Sequence, residues 1–355
     1  MSKSDGLPLS NAMVTGIFSN GQIEIASQGN RQSIGVPFGI PMTHETIFDV
    51  ASLTKSVFTA NTYMFLSDLG SINLGDPVRR FLPKWNTSEK GEITIEHLLS
   101  HRSGLEGWRP LYISCNDKDE ALDKIIKLPL VSKVDDKRIY SDLGYIVLGQ
   151  IIEYIFQSNF ETVLEQQLKP ILGLENTSFA NPKNHENVAA TSVGDNLEFS
   201  MVMNRSPFEV PERVEDFKRW RTNVLVGEVN DGNAFHIFDG RSSHAGLFSN
   251  LQDLLKMCEL YLSCLKDSSV FKSTTIRKFV EPGKDQIQGL GFRNWIIKKH
   301  ARDIRIYGHT GFTGVALGFA PDQDFAAVML TNRLHTLLEP RKTEDMWLEF
   351  LEKSL

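Results

Sequence analysis

The stretch Asp49-Val50-Ala51-Ser52-Leu53-Thr54-Lys55 decides how this chain is read. It feeds an apolar segment that predicts a helix from about Leu53 to Leu69, with Gly70 as its stop. Leu53, Val57, Ala60 and Met64 step by four, three and four, and Phe58, Phe65 and Leu69 give a second apolar face. A helix apolar on most sides is a buried one, so a lysine in its first turn needs a reason. Ser52 and Lys55 are three residues apart, which sets both side chains on one helical face. A serine needs a neighbouring base to become a nucleophile at neutral pH, and a lysine serves when its pKa is lowered. The helix N-terminus adds N–H groups and partial positive charge beside an attacked carbonyl. The competing reading makes Ser52 a helix cap and Lys55 a solvated first-turn residue. SxxK alone, a spacing common by chance, does not separate the two. The Phe48-Asp49-Val50-Ala51 run fits a strand feeding directly into the helix.

Around this stretch lies an ordinary globular chain of 355 residues, 41% hydrophobic and 23% charged, with a net charge of -6. That excludes a disordered tail, a collagen-like repeat and a disulfide mini-scaffold. A mildly acidic chain without a basic block is no nucleic-acid binder, because phosphate affinity rests on clustered Lys and Arg. No apolar run approaches the ~18–20 residues of a membrane span; Tyr145 to Phe156 is broken by Gln150 and Glu153. The first residues, MSKSDGLPLSNAMV, lack a signal core. Read as written, they predict a cytoplasmic protein, or a periplasmic or extracellular one if a leader has been trimmed. Cys115, Cys258 and Cys264 form no CxxC and read as buried free thiols. Neither GxxxxGK[ST] nor a strand-borne GxGxxG occurs, so nucleotide chemistry is unsupported and no cofactor or metal is expected.

Met13 to Phe18 and Gln22 to Ala26 read as strands joined by an Asn20-Gly21 turn. Helices are predicted from Thr94, over Asp119 to Leu128, over Asp142 to Phe156 and over Phe160 to Leu168, stopping before Pro170. Residues 180–245 read as long surface loops, and the charged Arg213–Arg221 run as a solvated helix face. Strands return over Gly291–Ile297, Ile304–Tyr307, Gly314–Ala320 and Phe325–Thr331, before a closing helix, Thr343–Leu351. The fold class is therefore α/β (α+β): an antiparallel sheet flanked by helices, with an inserted, mostly helical lobe. Residues 1–75 and 240–355 are expected to form the α/β lobe and 76–239 the insertion, as a single catalytic unit.

Two further motifs follow in order. Arg138-Ile139-Tyr140-Ser141-Asp142 resembles a Tyr-x-Asn element opening a helix, and His309-Thr310-Gly311 resembles a Lys-Thr-Gly element on a strand edge. With Ser52-x-x-Lys55 they resemble the three motifs of the serine β-lactamase and penicillin-binding-protein superfamily, and Tyr140 points to its class C branch with D,D-peptidase and esterase relatives. The segments 92–105, 172–179, 243–250 and 318–332 are similar to other stretches of the family, so the resemblance spans about residues 13–352. It implies a β-lactamase/transpeptidase-like fold and acyl-enzyme chemistry. In that chemistry Ser52 is acylated, Lys55 accepts or relays its proton and Tyr140 is the second acid/base group. The implied oxyanion hole is the backbone N–H of Ser52 and of Phe312, and Thr310 and Gly311 form the edge along which an acyl chain lies.

Two residues depart from the pattern. Asp142 replaces the usual Asn, and a carboxylate there favours the Lys55 ammonium, binds a cationic substrate group or holds Lys55 and Tyr140 in position. His309 replaces the usual Lys and offers less charge to a substrate carboxylate. These departures rank a carboxylesterase first, a D,D-peptidase or D-amino-acid amidase second and a β-lactamase third, with a non-catalytic binding protein as the alternative of another class. The expected partner is a small ester, amide or peptide; the oligomeric state is open. Trp108, Asn233 and His244 are candidates for the pocket wall, each balanced by a packing, turn or loop-ordering role. His97 and His101 stand at metal-ligand spacing, but no Glu follows His97, and packing or capping is the better reading.

Overall fold

The computed structural model describes residues 12–87, 89–179, 182, 186–299 and 302–355. Residues 1–11, which bear on a leader, lie outside that set. Strands β1 (Met13–Ser19) and β2 (Gln22–Gln28) form the expected hairpin. Asn20 and Gly21 take φ of 50° and 78°, the left-handed pair that suits a tight hairpin turn. Short strands follow: β3 (Asn30–Gln32), β4 (Ile40–Pro41), β5 (Phe48–Asp49), β6 (Ala190–Val193), β7 (Val224–Val226) and β8 (Phe248–Ser249). They pair as β3–β4, β5–β8 and β6–β7. The last strands, β9 (Arg293–Lys299), β10 (Arg302–Gly311), β11 (Val315–Ala320) and β12 (Phe325–Thr331), complete one antiparallel sheet in the order β2-β1-β12-β11-β10-β9.

The pleat sorts β12 between two cores. Phe325, Ala327 and Met329 face a cluster closed by Met346, Trp347, Phe350 and Leu351, whereas Ala326, Val328 and Leu330 join the main core. Strand side chains alternate between faces, so a central strand covered on both sides is apolar throughout. The helices are α1 (Asn61–Asp68), α2 (Ile95–Leu99), α3 (Leu111–Ser114), α4 (Lys118–Lys127), α5 (Asp142–Phe156), α6 (Phe160–Val163), α7 (Lys169–Leu172), α8 (Asn196–Asn204), α9 (Gly232–Ile237), α10 (Leu251–Asp267), α11 (Ser273–Val280) and α12 (Thr343–Ser354). Helix α12 covers one face of the sheet and α10 the other.

Three expectations are corrected. The helical path does not stop before Pro170. Residues Leu164–Leu168 form a π-turn and α7 starts at Lys169, where Pro170 occupies the first turn and its missing N–H costs nothing. Residues 180–245 are not loops throughout: most of the described ones lie in loops and turns, but β6, α8, β7 and α9 lie among them. The Arg213–Arg221 run is no helix. A 3₁₀ turn, Val214–Asp216, is followed by extended chain, and Arg221 is buried on Asp195 at 2.6 Å. Ion pairing, not amphipathic periodicity, organises that segment.

Candidate active site

Strand β5 delivers the chain to Ser52. Ala51 has φ of +44°, a left-handed conformation that costs an L-residue roughly 1–2 kcal/mol. Its N–H donates to Asp49 Oδ1 at 2.8 Å, which holds the kink in place. A 3₁₀ turn (Ala51–Leu53) and a π-helical segment (Lys55–Ala60) then lead into α1, so the expected single α-helix has three pitches. Asn61 accounts for the wide turn. Its amide donates to Ser56 O at 3.2 Å and to Val57 O at 3.0 Å, so a side chain serves carbonyls of the backbone ladder. Tyr261 Oη fixes that amide by donating to its oxygen at 2.8 Å.

Lys55 is fully buried beneath Ser52. Its ammonium donates to Ser52 Oγ at 3.0 Å and to His244 O at 2.8 Å, and lies 2.7 Å from Asp142 Oδ1. Burial disfavours the charge, but the Asp142 carboxylate and the Tyr140 phenol outweigh it, and the Lys55 pKa is raised. The rings of Tyr140 and Tyr145 lie 5.1 and 5.5 Å from the ammonium. Burial also raises the Tyr140 pKa. The Lys55 charge opposes that, Asp142 adds to it, and hydrogen bonding with Ser52 and Lys55 pulls it back.

Tyr140 precedes α5, whose N-cap Ser141 accepts Gly144 N–H at 3.0 Å. His101 grips this entry. Its Nδ1 accepts Ser141 N–H at 3.0 Å, its carbonyl accepts Ile139 N–H at 2.9 Å, and its ring packs 4.4 Å from that of Tyr140.

Strand β10 forms the opposite wall. His309 is buried, and its Nδ1–H donates to Thr310 O at 2.7 Å. Burial, then the Lys55 charge, lower its pKa to about 3, with Thr310 O working the other way and Arg293 adding to the fall. The imidazole is neutral at physiological pH. Gly311 passes so close to the Val50–Ala51 segment that a Cβ would lie 2.7 Å from Val50 O and 2.5 Å from Val315. The Gly311–Phe312 peptide is fixed through Gly311 O, which accepts Gly314 N–H and Thr343 Oγ–H, each at 3.1 Å. Phe312 O in turn accepts Arg333 Nε–H at 3.0 Å.

Ser52, Tyr140, His309, Thr310, Gly311 and Phe312 line one cleft of about 380 Å³ with Arg293, Arg333, Lys342, Thr343 and Glu344. Arg293 is paired with Glu344 at 2.7 Å. Arg333 and Lys342 have no ion-pair partner among the described residues.

A β-lactamase family model matches residues 12–349. The chain belongs to the β-lactamase family. Members of this family are serine hydrolases, and so is this β-lactamase-family chain. It is 29% identical over 334 residues to the N-acetylmuramyl-L-alanine amidase of Bacillus subtilis, covering 86% of this chain and 72% of that protein. It is 29% identical over 339 residues to a putative D-alanyl-D-alanine carboxypeptidase of Escherichia coli, covering 87% and 74%. A class C β-lactamase from Rhodobacter sphaeroides shares the fold with a TM-score of 0.69 at 18% identity, over 96% of this chain and 95% of that one. No described helix is long and apolar enough to cross a membrane.

None of the three pocket candidates of this β-lactamase-family chain lines the cleft. Trp108 is buried in a separate apolar cluster with Val202 and Val210, its ring 5.6 Å from that of Phe208. Asn233 is fully buried and ties α9 to the chain before α3, accepting Leu111 N–H at 2.8 Å and donating to Arg109 O at 2.9 Å. His244 meets the site only through its carbonyl, while its ring bonds Ser242 Oγ at 2.7 Å and Asp231 Oδ1 at 3.0 Å. His97 caps α2 in a capping box with Thr94. No metal-holding cluster of His, Cys, Asp or Glu occurs among the described residues.

Sequence reasoning did not place Asp49, His101, Arg293, Arg333 or Thr343 at the site, although packing or capping, the role read for His101, is what it does against Tyr140 and Ser141. Asp49 lies within the Asp49–Lys55 stretch, but its burial and the left-handed Ala51 that it holds show only in the structure. The other four reach the site only through tertiary contacts.

Proposed function

We infer that the protein hydrolyses an amide or short peptide through a Ser52 acyl-enzyme, without metal or cofactor. The observation that carries this reading is the Lys55 ammonium, 3.0 Å from Ser52 Oγ and beside the Tyr140 phenol in an open cleft. Lys55 is cationic, so it acts as a hydrogen-bond donor and charge stabiliser rather than as the free base. Burial holds Tyr140 mainly as the phenol and the Lys55 charge offsets this only in part, so its minor phenolate form takes the Ser52 proton as Oγ attacks the carbonyl. The phenol then returns the proton to the leaving nitrogen, and the reverse cycle activates water. The backbone N–H groups of Ser52 and Phe312 hold the oxyanion, and Thr310 and Gly311 carry the acyl chain. Asp142 serves to hold Lys55 charged rather than to meet substrate.

The neutral His309 supplies no charge for a substrate anion, but Arg333 and Lys342 in the same cleft do. That, with relatives named as an amidase and a carboxypeptidase, moves the amide or peptide ahead of the ester. Residues 1–75 and 240–355 are read as one lobe and 76–239 as the other. The large sheet, drawn from residues 13–28 and 293–331, supports that division.

The test pairs a fluorophosphonate probe with matched amide and ester substrates. Wild-type protein should be labelled at Ser52 and should cleave the amide, whereas Ser52→Ala should do neither. Tyr140→Phe should slow turnover by roughly 10²–10⁴-fold. A protein that binds substrate without labelling would be a binding module, and a large preference for the ester would restore the esterase reading.

A further inference from the structure

Behind the cleft a buried chain of carboxylates runs through residues that the acyl-enzyme chemistry does not use. Asp49 is 3% exposed. Its Oδ1 accepts Ala51 N–H at 2.8 Å and its Oδ2 accepts Asn230 N–H at 2.7 Å. The first bond holds the left-handed residue that presents Ser52. The second holds the residue before Asp231. Asp231 Oδ1 lies 3.0 Å from His244 Nε2 and accepts Ala234 N–H at 2.8 Å. The carbonyl of His244 then receives the Lys55 ammonium at 2.8 Å. On the third side, Thr313 Oγ–H donates to Asp49 O at 2.8 Å, one residue beyond Phe312.

Asp49 thus joins the Ser52 turn and the Phe312 turn directly, and reaches Lys55 through Asn230, Asp231 and His244. We propose that Asp49 is a positioning residue, which holds Ser52, Lys55 and the turn bearing Phe312 in register. The proposal rests on the acyl-enzyme reading above. Chemistry explains why the residue is an acid. A carboxylate offers two acceptor oxygens for two N–H groups, whereas an asparagine offers one oxygen and turns a donor towards the other N–H.

The charged groups facing Asp49 are the Asp231 carboxylate and the Arg221 guanidinium. Burial lifts its pKa to about 6, against the N–H bonds from Asn230 and Ala51; Asp231 adds to the rise and Arg221 opposes it. Protonation below that pH puts a hydrogen on one of the two acceptor oxygens.

The experiment follows fluorophosphonate labelling and amide kinetics in the full chain from about pH 5 to about pH 9. The wild-type profile should break near pH 6 and fall more steeply below it. Asp49→Asn should label roughly 10- to 100-fold more slowly, with KM within about twofold, and without the break. Asp49→Glu keeps the carboxylate and should restore the break and part of the rate. The proposal is overturned if Asp49→Asn labels at the wild-type rate, or if it keeps the break while only its melting temperature falls. A folded Asp49→Glu without the break would overturn it too. Absent labelling of the wild type, or labelling that survives Ser52→Ala, would instead sink the acyl-enzyme reading.

Discussion

Lys55 keeps its charge where burial alone would remove it. The Asp142 carboxylate at 2.7 Å decides the outcome, so the substitution of Asp for Asn changes the work the lysine can do. His309 goes the other way. No carboxylate compensates it, and its pKa of about 3 lies below the unfolded value near 6.5. Between those values the unfolded chain binds the proton and the folded chain does not. Stability is therefore lost as the pH falls from about 6.5 towards 3. His309→Gln should flatten that part of a melting-temperature profile, while leaving the neutral end little changed. A profile with the wild-type slope would show that His309 does not titrate in this way.

At the scale of elements, the site is a place where three irregular pieces approach closely. The strand edge of β10 lies against the chain from β5, and the contact has room for no side chain at Gly311. Gly311→Ala should push Val50 and Val315 aside and cost about 1–3 kcal/mol, the usual range for overpacking. Because the displaced peptide carries the Phe312 N–H, the rate of fluorophosphonate labelling should fall more than stability does. Urea unfolding and kinetics on the same protein separate the two; an unchanged rate would remove that peptide from the oxyanion role. The π-turn at Lys55–Ala60 belongs to the same scale. A side-chain amide, Asn61, takes over carbonyls and widens the helix next to the lysine.

Across the whole molecule, the middle of the chain braces the site from behind. Arg221 donates to Asp195 at 2.6 Å, to Val229 O at 2.8 Å and to Asn230 O at 3.0 Å, and it stacks on Phe235 at 3.8 Å. It thereby holds the loop whose Asn230 N–H reaches Asp49. Arg221→Met leaves Asp195 buried with the pair broken, a change that costs about 3–5 kcal/mol. Denaturant unfolding should register that loss, and a cost below about 1 kcal/mol would mean that the brace carries no weight.

The amino-acid sequence by itself determined what depends on neighbours along the chain. The Asn20-Gly21 hairpin, the span Asp142–Phe156 of α5 and the apolar strand Phe325–Thr331 were legible as turn chemistry and hydrophobic period. The order of the Ser52-Lys55, Tyr140 and His309-Thr310-Gly311 elements was legible too. Tertiary structure decided what depends on partners far apart in the chain. It buried Lys55 on Asp142, moved Trp108 and Asn233 away from the cleft, and turned Arg221 from a surface charge into a buried brace. The physical reason is range. Periodicity and capping act within a few residues, whereas burial and ion pairing join groups such as Asp49 and Asn230, 181 residues apart.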